Sequence, residues 1–155
     1  MLKVLFLAEP HYRFDRKLIR TALQIAANEV NLKTDAEMTV SVIGDRKMRI
    51  MNRAFRNQDK TTNVLSFTAK EVAKIPNFHQ PEEVNLYLGD VAISYPVALE
   101  EAINENTLVD ERMAFLAVHG MLHLFGLDHQ QLDEARIMEE MEDKIMLQVK
   151  TPQNV

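Results

Sequence analysis

His119-Gly120-Met121-Leu122-His123-Leu124-Phe125-Gly126-Leu127-Asp128-His129 gathers three of the chain's five histidines into one short window. The residues just before it, from Asp110 to Val118, include no Gly or Pro. Apolar or small residues recur three or four apart at Met113, Leu116, Ala117 and Gly120, so a helix runs into the motif. On that helix His119 and His123 stand one turn apart on one face, where two imidazoles can grip one ion. His129 would point about 80° off that face if the helix simply continued, at ~100° per residue. Gly126 supplies an exit, because glycine takes the left-handed conformation that ends a helix and turns the chain back. His129 is then expected to approach the ion from a loop.

Three neutral imidazoles with no fourth protein ligand suit zinc that keeps one position open for water. Closed structural zinc sites usually draw on cysteine, and the chain has none. One metal ion per chain is therefore expected, acting as a Lewis acid whose water ionises near neutral pH. Zinc is the first choice, although imidazole also suits iron, nickel and copper.

At 155 residues the chain has the length of one domain with one proper core. A composition of 46% hydrophobic and 26% charged residues, with 4 Gly and 5 Pro, is that of a globular domain and not of a disordered segment. The lack of cysteine fits a reducing cytosol and excludes a disulfide framework. The N-terminal run from Met1 to Ala8 is short and interrupted by Lys3, so it does not read as a signal peptide. No stretch approaches the ~18 apolar residues of a membrane span. The expectation is a soluble, cytoplasmic protein.

A net charge of −5 argues against a bulk nucleic-acid binder, but its distribution does not. Asp133, Glu134, Glu139, Glu140, Glu142 and Asp143 crowd one segment against Arg136 alone. The rest of the chain is balanced, and within it Arg46, Lys47, Arg49, Arg53, Arg56 and Lys60 face only Asp45 and Asp59.

In chain order, residues 2–8 read as a strand and 15–30 as an amphipathic helix with Asp15 at its N-cap. Residues 38–43 alternate as a second strand. Asp45 is then expected to cap a short helix over 46–56. One side of that helix carries Met48, Met51 and Phe55; another carries Arg46, Arg49, Arg53 and Arg56. That second side is either a solvated face or a row of guanidiniums facing a phosphate backbone. A strand over 64–67 follows, then a surface loop over 69–85 and a strand over 86–94 in which Gly89 marks a bulge or close approach. Pro96 opens a helix to about Asn104. The metal helix spans 109–125. A last helix over 132–149 has Ile137, Met138, Met141, Ile145 and Met146 on its apolar side and the acids opposite. Residues 1–150 form the single domain and 151–155 a tail.

The histidine motif and the 51–67 stretch together resemble the YbeY family of bacterial endoribonucleases, which act in ribosomal RNA maturation. The family's H-G-x-L-H-L-x-G-x-D-H signature is met from His119 to His129 without a gap. A second signature is met by Asn52, Phe55, Arg56, Asp59, Thr62 and the run Val64 to Phe67, and a third by Leu88-Gly89-Asp90. Leu127 and Gln58 depart from the usual residues, neither at a ligand position. The resemblance implies an α+β domain with a mixed four-stranded sheet, helices packed on it and a zincin-like metal helix. It implies zinc held by His119, His123 and His129. It also implies a need for Arg56, and single-stranded RNA lying between the arginine helix and the metal. Maturation of the 16S rRNA 3′ end and ribosome quality control come with it, as do the small ribosomal subunit, ribosomal protein S11 and the GTPase Era as partners.

Physical chemistry agrees with that division of labour. Cleaving a phosphodiester calls for an activated nucleophile, which a metal-bound hydroxide supplies, and a positive group for the charge building on the phosphoryl oxygens. The planar fork of Arg56 matches a phosphate, and Arg46, Arg49 and Arg53 could guide the RNA. Asp128 is either a turn residue bonding its own backbone or a group orienting an imidazole. Asp90 could assist proton transfer or hold backbone, and Ser66 reads as plain strand. Two rivals remain. A metzincin-like metalloprotease shares the histidine ladder but needs a glutamate after the first His, where Gly120 stands. A non-catalytic ribosome-assembly module would use the metal only as a staple.

Overall fold

The computed structural model describes residues 1–74, 86–127 and 132–150. Four strands, β1 (Leu2–Ala8), β2 (Ala36–Ile43), β3 (Val64–Thr68) and β4 (Tyr87–Ser94), form one sheet in the order β1-β2-β4-β3. The first three neighbours in that order run parallel, and β3 lies antiparallel against β4 at the edge. Helix α1 (Arg16–Glu29) makes the crossover from β1 to β2 that parallel pairing requires. The others are α2 (Asp45–Arg56), α3 (Ala69–Val72), α4 (Tyr95–Glu105), α5 (Val109–Leu124) and α6 (Leu132–Lys150). The expected α+β domain with a mixed four-stranded sheet is what forms.

Strand alternation assigns the two faces. Met38, Val40 and Val42 of β2 and Val91 and Ile93 of β4 join the larger core, with Leu23 of α1, Leu116 and Met121 of α5, and Met138 and Ile145 of α6. The other face is a smaller core in which Phe67 and Ala92 meet Met48 and Met51 of α2 and Val72 of α3. The apolar side read for residues 46–56 is thus core, apart from Phe55, whose ring stands edge-on to Phe67 at a centroid distance of 5.6 Å. The β2–β4 register shifts between Glu37 and Met38, opposite Leu88 and Gly89, which is the irregularity expected at Gly89.

Three local expectations change. Asp45 does not cap α2; Gly44 occupies the cap position, and the Asp45 carboxylate accepts from Ser94 Oγ at 2.7 Å and Thr61 Oγ1 at 3.1 Å. A proton-donating hydroxyl on another element outcompeted the helix's own amides. Part of the stretch read as loop is helix α3, started by a capping box in which Thr68 and Glu71 satisfy each other's backbone amides. On α6 the acids are not all opposite the core: Glu142 is buried between Met138 and Ile145, while Ile137 is half exposed.

Candidate metal and nucleic-acid site

Helix α5 presses its Gly120 against the sheet. A Cβ there would lie 2.6 Å from Val91 Cγ1 and 3.0 Å from Ser66 Oγ, so no larger side chain fits without displacement. Ser66, read as plain strand, donates its hydroxyl to the Gly120 carbonyl at 2.8 Å and ties the edge strand to α5. This contact fixes the turn of α5 on which His119 and His123 stand.

The two imidazoles meet edge to face, with Nε2 of one 3.1 Å from Nε2 of the other. Two nitrogens on one tetrahedral zinc, each about 2.0–2.1 Å from the ion, stand about 3.3 Å apart. The pair is therefore already at chelating separation, and the chemistry of the donor set suits zinc. Both lie in the last turns of α5, where the negative end of the helix dipole favours a cation. Behind them, the Oε2 of Glu142 on α6 lies within hydrogen-bonding distance of His119 Nδ1, at 3.1 Å. Past Phe125 the helix closes in a Schellman turn: Gly126 at φ +88° donates to the His123 carbonyl at 2.9 Å, and Leu127 to that of Leu122 at 3.1 Å. The helix thus ends at the expected glycine. His129 and Asp128 lie outside the described residues. Among those residues, no group of three His, Cys, Asp or Glu is poised to hold a metal.

A cleft of about 690 Å³ opens in front of the histidine pair. Strand β3 forms its floor, His119, His123 and Leu124 one wall, and Arg56 and Glu71 the other. Arg56 comes from α2, on the opposite face of the sheet from α5, and reaches round the edge strand to get there. Its Nη2 donates to the Ser66 carbonyl at 2.6 Å and its Nη1 to that of Phe55 at 3.0 Å. Glu71 accepts from both, at 2.8 and 3.3 Å, and the guanidinium lies 4.9 Å above the Phe67 ring. Desolvation pushes the Glu71 carboxyl up, but hydrogen bonds from Arg56 and Thr68 and the charge of Arg56 outweigh it and hold it below the usual glutamate range.

The remaining sequence candidates separate. Arg46, Arg49 and Arg53 are exposed on α2 outside the cleft lining. Arg49 is engaged by Asp59 through two hydrogen bonds of 2.9 and 3.2 Å. Asp90 is buried and faces the α2 layer, since its neighbour Val91 faces α5. It accepts from the Tyr87 hydroxyl, and burial together with that carboxylate raises the phenol's pKa. It is not brought to the described histidines. Glu142 is the functional candidate that sequence reasoning missed. Its signal was present: it falls four residues after Met138 and three before Ile145, inside the apolar stripe and not among the solvated acids.

A family model described as Endoribonuclease YbeY matches residues 10–150. An Endoribonuclease YbeY of Rhodopseudomonas palustris (strain BisA53) is 39% identical over 136 residues, which cover 87% of this chain and 77% of that one. Another, from Limosilactobacillus reuteri (strain DSM 20016), is 35% identical over 134 residues, covering 84% of each. The solution structure of TM1509 from Thermotoga maritima superposes with a TM-score of 0.59 at 21% identity, over 96% of this chain and 89% of that one, a likeness of fold.

Proposed function

This chain belongs to the endoribonuclease YbeY family, and from that premise we propose that it is a zinc-dependent endoribonuclease cutting single-stranded ribosomal RNA. The observation that carries the proposal is the cleft at the edge of β3, where Arg56 and the His119–His123 pair face each other although they arrive from opposite faces of the sheet. His129, carried past the Schellman turn, would complete the ligand set. A divalent ion held there supplies Lewis acidity and lowers the pKa of a water in its open position.

The chain's own groups do the rest. His119 has the Glu142 carboxylate 3.1 Å from its Nδ1 and turns its Nε2 toward His123. The two carbonyls and the Phe67 ring hold the Arg56 guanidinium flat against the cleft wall, a fixed positive group for a phosphoryl oxygen. A protease reading finds no support at position 120, where the packing against Val91 leaves no space for the carboxylate that class requires. Maturation of the 16S 3′ end, ribosome quality control, and contacts with ribosomal protein S11 and Era extend the proposal on the family's account alone.

The test is cleavage of an unstructured RNA, and of casein as control, by protein as purified, after chelation, and after zinc is restored. RNA cutting that is lost to chelator and returned by zinc, and that drops roughly 100-fold in Arg56→Ala, is the expected result. Chelator-resistant cutting would remove the metal from the proposal. Binding of ribosomal particles with no cutting under any condition would favour the assembly module.

A further inference from the structure

We propose that Glu142 is a positioning residue that sets the tautomer of His119 and through it the site's affinity for a divalent ion; this rests on the metal reading above. Glu142 comes from α6, an element no sequence signature of the site includes. It is 4% exposed in a helix whose other acids are largely in solvent. A buried carboxylate is costly unless it is paired, and an apolar residue would fill the Met138–Ile145 stripe at no such cost. Its partner is specific: Oε2 lies 3.1 Å from His119 Nδ1.

A carboxylate can only accept, so the imidazole must carry its proton on Nδ1. In the neutral ring that leaves Nε2 as the lone-pair nitrogen, and Nε2 is the atom 3.1 Å from its counterpart on His123. Without the carboxylate the ring is free to carry its proton on Nε2, which is mute toward a cation, and to rotate about its side-chain torsions. The same bond also makes Nε2 a stronger donor by drawing the Nδ1 proton toward oxygen. Glu142 is not part of the cleft lining, and its effect passes through His119.

Two variants of similar volume test this, Glu142→Gln and Glu142→Leu. For each, zinc affinity is measured by competition with a chromophoric chelator, melting is measured metal-free, and the His119 tautomer is read from imidazole ¹⁵N shifts in the metal-free protein. The expected result is an Nδ1–H tautomer in the wild type that is lost in Glu142→Leu. Zinc affinity then falls about 10- to 100-fold in Glu142→Leu and less in Glu142→Gln, whose amide oxygen still accepts. A residue that merely packs would shift the metal-free melting temperature and leave zinc affinity of the folded protein unchanged, and that outcome overturns the proposal. So does a wild-type spectrum with the proton on Nε2. If the wild type takes up no zinc at all, the metal reading fails, and the tautomer alone then decides whether Glu142 orients His119.

Discussion

Arg56 enters the cleft already engaged. Four of its five donor hydrogens serve Phe55, Ser66 and Glu71, which leaves Nε and whatever Glu71 yields. An RNA phosphate must therefore compete with the Glu71 carboxylate. Glu71→Gln keeps the capping box, because an amide oxygen accepts as a carboxylate does, and removes the competing charge. Single-stranded RNA should then bind about two- to fivefold more tightly at low salt, the scale of one exposed ion pair; unchanged affinity by fluorescence anisotropy would mean that Arg56 does not meet the RNA. The pair's pH dependence has a definite sign. A carboxyl held below its ordinary value contributes stability that is complete above the unfolded pKa and is lost as pH falls through the folded one. The Glu71 value is lowered from 4.5, so the tie between α3 and Arg56 should persist at neutral pH and open only in more acid solution. A ¹³C titration of the Glu71 carboxyl midpoint above 4.5 would contradict this.

At the scale of elements, the site depends on how α5 begins its exit and how closely it lies on the sheet. Gly126→Ala meets no atom within 4 Å, so its whole cost is the left-handed backbone at φ +88°, about 1–2 kcal/mol. Gly120→Ala is different in kind: the added methyl overlaps Val91 and Ser66, and overpacking of this sort costs about 1–3 kcal/mol. Both should melt several degrees lower, at about 2–4 °C per kcal/mol. Gly120→Ala should also weaken zinc affinity measured well below melting, because it pushes His119's own turn off the sheet. Equal zinc affinity in Gly120→Ala and wild type would separate the packing from the site. Glycine is sparing elsewhere in the chain, and Asn31, Asn57 and Asn106 take the positive φ that closes α1, α2 and α4.

Over the whole molecule, the acids of α6 and the arginines of α2 lie on opposite sides of the sheet, α6 packed on α1 and α5 and α2 on β4, and the cleft at the edge strand is where the two sides meet. With only a few arginines to neutralise phosphates, RNA binding should be weak and salt-dependent, with a slope of log affinity against log salt of about −2 for two or three contacts. A slope near zero would exclude the guanidinium face as the guide. The sequence by itself determined much here. The histidine spacing, the terminating Gly126, the strand and helix order and the Arg56 motif are local or periodic patterns, and local chemistry expresses them without help. Tertiary structure alone decided what those pieces touch. That Arg56 reaches round β3 to face the histidines, that Asp90 faces away from the described pair, and that Glu142 is a partner of His119 and not a solvated acid all follow from which face of the sheet each element covers. A one-dimensional pattern records the period of a helix but not the neighbour its buried side will find, because that neighbour is 23 residues away in one case and ten in the other.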